Sequence, residues 1–224
     1  MSRILISGCG LSWSSQERPT WTNVLKICGV DVDDQAGPAV SNQTILNNMI
    51  ESVLDNHYDQ AVCQLTSVGK LDVELNRSSR EQIMKADSIR NFQHKGYWPS
   101  SASAEHDSKK MYYEYLHSPS LEQKDIIYKW LLLDKLCASK GIVLHTIMGY
   151  EIPWIVGRRE IIRTDHTYNV REDYIKGKYY KHHDHSLGEK NTVPNKYFQI
   201  YLAKKINTEM LRLPLQEKLE RFHD

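Results

Sequence analysis

The stretch Arg3-Ile-Leu-Ile-Ser-Gly-Cys-Gly-Leu-Ser-Trp13 begins with a short apolar run that stops at a Gly-Cys-Gly turn. A buried strand that ends in small residues allows the backbone of the following turn to approach a ligand closely. In open α/β sheets, ligands bind at the carboxyl ends of such strands. This turn is therefore predicted to lie at a functional site.

The rest of the chain alternates between helical and strand patterns. We expect a helix from Trp21 to Cys28 that closes at Gly29, a strand over 30–34, and a helix from an N-cap at Ser41 to about Leu54. A strand over 58–67, a helix over 121–139, a strand over 142–148 and a helix from Pro194 to about Leu213 follow. This order predicts an α/β protein, a three-layer α/β/α sandwich around a mostly parallel, flavodoxin-like sheet.

Length and composition limit the classes of function. The 224 residues suit one domain spanning 1–224, with irregular polar insertions at about 68–118 and 149–192. A net charge of +1 argues against nucleic acid or a membrane surface as a partner. The chain starts without a leader pattern and has no apolar run near the ~20 residues of a membrane span, so we expect a soluble, cytoplasmic protein. The scattered Cys9, Cys28, Cys63 and Cys137 are predicted to be buried free thiols.

The first stretch resembles the opening block of the SGNH (GDSL-type) esterase family. The resemblance is to a divergent branch, found in bacteriophage and bacterial genomes, in which the first strand runs into Gly-Cys-Ser-Phe-Thr. Gly8, Cys9, Leu11 and Ser12 match this block, whereas Gly10 stands where the family has its nucleophilic serine. The resemblance implies an SGNH-hydrolase-like fold and serine-type ester hydrolysis.

Two further blocks extend the resemblance. Gln35-Ala-Gly-Pro-Ala-Val-Ser-Asn42 is similar to the family's second block, whose glycine N–H helps to bind the oxyanion, and Gly37 is the matching residue. The third strand ends in Thr66 and Ser67, where the family has an asparagine. The resemblance therefore implies an oxyanion-binding and substrate-binding set made up of Cys9, Gly10, Gly37, Asn42, Thr66 and Ser67.

The last block of the family reads Asp-x-x-His-Pro, and here it departs from the pattern. Thr192 and Val193 stand at the expected histidine position before Pro194, and Asp184-His185 lies a few residues upstream as a displaced remnant. Glycine has neither a hydroxyl nor a thiol for a base to activate, so Gly10 cannot be the nucleophile. If the chain is a hydrolase, the resemblance implies a catalytic set of Ser12 or Cys9 as nucleophile, His185 as base and Asp184 orienting it. The alternative for Ser12 is a structural one, in which its hydroxyl only caps or satisfies a turn.

Two functions stay open at this point. The first is an esterase or acyl hydrolase that needs no cofactor and acts on a small-molecule or glycan ester, meaning an ester of a carbohydrate or lipid. The second is a catalytically inactive SGNH-fold binding or structural module, such as a phage virion component with protein partners in the virus particle, or a glycan-binding accessory. Gly10 and the missing histidine favour the second, and the resemblance over the whole chain favours the first.

The remaining histidines offer weaker alternatives. His183 and His185 could share a metal ion, because alternate residues of a strand face the same side, but no distant partner stands at a recognised ligand spacing. We therefore predict no metal site there. The histidine-rich stretch is interpreted instead as a solvated loop, or as the segment that supplies His185 as a catalytic base. His145, inside an apolar strand, is predicted to be a buried, hydrogen-bonded core residue, with a role in the site as the alternative because it lies toward the carboxyl end of its strand.

Overall fold

The computed structural model describes residues 2–9, 20–37, 40–66, 70–74, 97–101, 115, 118–148, 167–169 and 196–220. The strands are β1 (Arg3–Ser7), β2 (Asp31–Asp34), β3 (Gln60–Leu65), β4 (Lys70–Glu74), β5 (Tyr97–Ser101), β6 (Val143–Met148) and β7 (Thr167–Asn169). The helices are α1 (Trp21–Ile27), α2 (Asn42–Asp55), α3 (Pro119–Ser139), α4 (Lys196–Ile206) and α5 (Gln216–Glu220). A π-helical turn, Asn207–Leu211, continues α4.

Five of these strands form one sheet in the order β2-β1-β3-β6-β7. Every pair of neighbouring strands in it is parallel. This is the flavodoxin-like order, in which the chain builds outward from β1 first on one side and then on the other. The predicted α/β class with a parallel sheet is confirmed.

The two faces of the sheet have separate hydrophobic cores. Leu5, Cys63 and Leu65 point to one face and pack with residues of α2 and α3. Ile4, Ile6 and Val62, their neighbours along the same strands, point to the other face and pack with α1 and α4. Because successive side chains of a strand alternate in direction, these continuous apolar runs can fill both cores at once. The sheet is therefore the middle of three layers, with α2 and α3 on one face and α1 and α4 on the other.

Local signals explain where the helices start and stop. The Ser41 hydroxyl accepts a hydrogen bond from the Thr44 N–H at 3.2 Å, which makes it the N-cap of α2. Gly29 has a φ of +88°, the left-handed conformation that commonly ends a helix, one residue past the C-cap of α1. The predicted helices over 21–28, 42–54 and 121–139 and the strands over 30–34, 58–67 and 142–148 are confirmed to within a few residues.

The structure adds strands to the two predicted insertions. Within 68–118, β4 and β5 form an antiparallel pair. Within 149–192, β7 pairs with the last three residues of β6 and becomes the outer strand of the sheet. Strands this short have little sequence signal of their own, since a distant partner supplies their hydrogen bonds. The last predicted helix also differs, because the α-helical part ends at Ile206 and the π-helical turn follows.

Buried polar residues inside the sandwich have structural partners. The His145 ring nitrogen Nε2 lies 3.0 Å from Gln60 Oε1, and Gln60 Nε2 donates to the Leu211 carbonyl at 3.0 Å. His145 is 1% exposed, so it is the buried, hydrogen-bonded core residue that was predicted. The four cysteines are free and buried, as expected. Among the helices of the described ranges, none combines the length and hydropathy that crossing a bilayer would require.

Candidate functional site at the carboxyl end of the sheet

The candidate site lies where the strand order of the sheet reverses direction. The chain pairs β2 on one side of β1 and then places β3 on the other side. In open α/β sheets such a reversal is the expected position of a ligand-binding crevice, at the carboxyl ends of the two strands on either side of it. The turn after Ser7, the loop at 35–37, the start of α2 and Thr66 all meet there. These four pieces come from three parts of the chain, around positions 8, 35–42 and 66, which thus share one edge of the sheet.

Backbone hydrogen bonds hold the loop after β2 against the end of β1. The Gln35 N–H donates to the Ile6 carbonyl at 2.8 Å, and the Gly37 N–H donates to the Gly8 carbonyl at 3.0 Å. The predicted oxyanion residue Gly37 therefore lies beside the predicted turn. Its N–H is engaged within the protein, so a role in binding an oxyanion would require the hydrogen bond to Gly8 to open.

Gly8 is in close contact with the neighbouring strand. A Cβ atom at this position would lie 2.7 Å from both Cβ and Oε1 of Gln64 on β3. Real Cβ atoms do not approach other heavy atoms so closely, and the Gln64 Cβ cannot swing away without movement of the strand. The absence of a side chain at Gly8 is therefore what allows the turn to pass over the end of β3.

Asn42 links the first residue of α2 to the end of β3. Its Oδ1 accepts the Thr66 N–H at 2.7 Å, and its Nδ2 donates to the Thr66 carbonyl at 2.9 Å. Both residues are almost completely buried, with exposed fractions of 1% and 0%. The asparagine amide thus provides hydrogen-bond partners for the N–H and the carbonyl of Thr66, the residue just beyond the end of β3. The two residues predicted to contact substrate are thus joined in a clamp.

Cys9 turns inward from the turn. It is 6% exposed and belongs to the core cluster that contains Leu5, Ile45 and Leu46. A thiol in this position reaches a substrate only if the turn changes conformation. Ser7, the last residue of β1, is also buried, and its hydroxyl donates to the Ile45 carbonyl at 3.5 Å.

A carboxylate below the loop fixes its conformation. Asp34 Oδ1 accepts the Ala36 N–H at 3.1 Å, while Oδ2 accepts from the Thr22 hydroxyl at 3.1 Å and from Lys26 Nζ at 3.2 Å. The Asp34 side chain is 9% exposed, so its charge is compensated within the protein rather than offered to a ligand. In the described part of the chain there is no group of three or more histidine, cysteine or acidic side chains arranged to hold a metal ion.

The structure brings together four of the residues predicted for the site: Cys9, Gly37, Asn42 and Thr66. The other predicted residues, Gly10, Ser12, Ser67, Asp184 and His185, lie outside the described residues, so their roles stay predictions. The clamp between Asn42 and Thr66 and the packing of Gly8 on Gln64 were not predicted. The Ser41-Asn42 pair at a helix start is a visible signal in the sequence, but its partner, 24 positions away, is not.

No protein-family model matches the chain, and no curated protein sequence matches it. The fold is similar to the crystal structure of a catalytic mutant of an acetylxylan esterase from Geobacillus stearothermophilus, with 10% sequence identity, a TM-score of 0.47 and 93% of each chain covered. At this TM-score and identity the similarity carries no inference about activity. The α/β fold is established by the parallel strand order of the chain itself.

Proposed function

We propose that the chain is an SGNH-like acyl hydrolase whose site lies at the carboxyl ends of β1 and β3, with an ester of a carbohydrate or lipid as substrate. The observation that carries the proposal is the hydrogen bond from the Gly37 N–H to the Gly8 carbonyl, at 3.0 Å. It joins the first two sequence blocks that resemble the family. The clamp between Asn42 and Thr66 adds the third block at the same edge of the sheet.

The position of α2 favours chemistry in which negative charge develops. The first N–H groups of a helix carry a partial positive charge, and α2 begins at Asn42, beside the turn after β1. In an acyl transfer, the carbonyl oxygen of the ester becomes an oxyanion, which fixed N–H donors stabilise. Asp34 and the Asn42 clamp fix the loop and the helix start, and the Gly37 N–H becomes such a donor when its hydrogen bond to the Gly8 carbonyl opens.

In the proposed reaction, the Ser12 hydroxyl attacks the ester carbonyl while His185 accepts its proton, with Asp184 orienting the imidazole. The acyl–oxygen bond then breaks, and the leaving alcohol takes the proton from the imidazolium. Water, deprotonated by the same histidine, releases the carboxylic acid and restores Ser12. No cofactor enters this sequence of steps.

A second function is favoured by two observations. Gly10 occupies the position of the family's nucleophile, and the Gly37 N–H is used by the Gly8 carbonyl rather than left for an oxyanion. Both are expected of a catalytically inactive module that keeps the crevice for binding a glycan, or as a structural component of a virion. This function predicts ligand binding at the same edge of the sheet without turnover.

A labelling experiment separates the two. The full chain is treated with a fluorophosphonate probe, and hydrolysis of short-chain nitrophenyl esters is followed in parallel, for the wild type and for Ser12→Ala, His185→Ala and Ser14→Ala. Ser14→Ala is the matched control, since it removes a neighbouring hydroxyl with no proposed role. Hydrolase function predicts labelling and turnover that are lost in Ser12→Ala, reduced at least ~100-fold in His185→Ala and kept in Ser14→Ala.

The contrary results are equally definite. Absence of both labelling and turnover in the wild type would reject hydrolysis of such esters and favour the binding module. Labelling that persists in Ser12→Ala would show that another hydroxyl is the nucleophile. Acetylated xylan and short-chain lipid esters, assayed as separate substrates, then distinguish carbohydrate from lipid esters.

A further inference from the structure

Helix α3 has a row of large apolar side chains exposed to solvent. Leu121 is 64% exposed, Tyr128 67% and Leu132 56%. With 3.6 residues per turn, these three positions fall within about 40° of rotation around the helix axis. Single exposed apolar residues are ordinary, but three on one helix face form a patch that usually marks an interaction surface.

The opposite side of α3 packs into the hydrophobic core. Ile126, Trp130, Leu133 and Cys137 are buried against the sheet and α2. The helix therefore has apolar residues on both of its faces. This is typical of a helix that packs against other elements on both sides, whereas a helix at a protein surface is polar on its outer face. Among the described residues, α2 behaves differently, since its exposed positions are mostly polar, such as Gln43, Asn47 and Glu51.

The spacing along the exposed face is that of a helix-pairing seam. Leu121, Asp125, Tyr128, Leu132, Lys135 and Ser139 follow one another at alternating intervals of four and three residues, and we call this row the α3 stripe. A repeat of this kind keeps one seam facing a partner helix along several turns. The stripe has apolar residues near its centre and one charge of each sign to either side.

The charges of the α3 stripe indicate which partner helix fits it and in which orientation. When two copies of α3 pair antiparallel about a two-fold axis level with Trp130, Tyr128 faces the second copy's Leu132, and Asp125 faces the second copy's Lys135. The two-fold axis generates each of these contacts twice. Parallel pairing would instead place Asp125 against Asp125 and Lys135 against Lys135, which is repulsive. The stripe is thus complementary to itself in one orientation only.

The charged groups are available for such contacts. Asp125 Oδ2 lies 3.1 Å from Lys129 Nζ one turn along the helix, yet the Asp125 side chain keeps 41% of its surface exposed. Lys135 is exposed. Oδ2 itself is buried, so the exposed carboxylate oxygen is Oδ1, which a second ammonium group can approach without displacing Lys129.

We propose that the α3 stripe is the interface of an antiparallel homodimer, in which Tyr128 and Leu132 bury their apolar surface against Leu132 and Tyr128 of a second copy, and Leu121 packs over the second copy's Ser139 at either end. Contact through one helix pair is at the small end of specific interfaces, so the dimer is weak, with a dissociation constant of about 10–100 µM. This proposal is independent of hydrolase activity, because the stripe lies on the outer side of α3 and shares no residue with the crevice.

A charge exchange tests it. Sedimentation velocity over a concentration series measures the dissociation constant of the full chain for wild type, Asp125→Lys, Lys135→Glu, the double variant and Leu132→Ser. Each single charge reversal is expected to weaken the dimer about tenfold, because two attractive pairs become two repulsive ones. The double variant restores the opposite charges and should return to within about threefold of wild type. Glu217→Lys, an exposed reversal on α5, is the matched control and should have no effect.

Three outcomes would overturn the proposal. A wild type that is monomeric up to about 500 µM has no such dimer. A dimer whose dissociation constant is unchanged in all three single variants of the stripe uses another surface. A fall in the thermal midpoint of a monomeric Leu132→Ser protein would show that the chain itself covers the stripe, since a side chain exposed in the monomer contributes little to its stability.

Discussion

Replacement of Asn42 by alanine tests how strongly the start of α2 is joined to the end of β3. The asparagine side chain accepts from the Thr66 N–H at 2.7 Å and donates to the Thr66 carbonyl at 2.9 Å. Alanine removes both partners at once. Because Asn42 and Thr66 are 1% and 0% exposed, water does not replace the lost hydrogen bonds without movement of the backbone.

The size of the effect follows from the two hydrogen bonds that are lost. Removing one partner of a buried hydrogen bond costs about 1–3 kcal/mol, so the loss of two predicts a decrease of about 2–6 kcal/mol in the free energy of unfolding. For a protein of this length, a loss of ~3 kcal/mol lowers the thermal midpoint by about 6–12 °C. Such a change is a large part of the ~5–15 kcal/mol that ordinary domains have in total.

Urea unfolding, followed by far-ultraviolet circular dichroism, measures this loss. The slope of the free energy against urea concentration should stay unchanged, which shows that the same surface is exposed on unfolding. Asn47→Ala is the matched control, because Asn47 lies on the same helix but is exposed. It should change stability by less than ~0.5 kcal/mol.

The clamp would be refuted by a small effect. If Asn42→Ala loses less than about 1 kcal/mol, or no more than Asn47→Ala, the two hydrogen bonds do not hold the helix to the strand. The crevice would then lack the rigid support that the proposed acyl transfer relies on.

Two further predictions concern the close contact beneath the turn and the buried thiols. Gly8→Ala places a Cβ atom 2.7 Å from Gln64 Cβ, so the urea midpoint should fall by an amount equivalent to about 1–3 kcal/mol; a midpoint equal to wild type would contradict this packing. Burial raises the pKa of the Cys63 thiol and raises that of Cys137 from 9.0 to about 12. Their thiolates are therefore scarce in the folded protein, and the stabilising effect of the neutral thiols is complete below pH 9.0 and is lost as pH rises toward about 12. All four cysteines should react with a disulfide reagent at pH 8 only after unfolding, and rapid reaction of Cys63 or Cys137 in the native protein would be the opposite result.

The sequence was sufficient for the elements that carry their own signals. The apolar run of β1 predicts a strand that is buried on both faces, and Ile4, Leu5 and Ile6 are all fully buried. Ser41 predicts the start of α2 because a hydroxyl at an N-cap binds a helix N–H three residues on. Such signals depend on atoms a few residues apart, so neither the sheet nor the core is needed to recognise them.

The candidate site could be predicted only in outline. The turn after β1 and the loop at Gly37 were assigned to one site, and a hydrogen bond joins them. The inward direction of Cys9 was not predictable, because the residue is equally compatible with a turn exposed to a ligand and with the core cluster beneath it. Burial is decided by which other elements pack against the turn, and the sequence of the turn does not contain that information.

Tertiary structure alone decided the addition of β7 and the Asn42 clamp. β7 has three residues, and its hydrogen-bond partners come from β6, about 20 positions away along the chain. The Asn42 amide finds its partner in Thr66 only after α2 has packed on β3. The physical reason is the same in each case: these hydrogen bonds form between segments that the chain must first bring together, and the free energy for doing so comes from burying two apolar cores rather than from any local pattern.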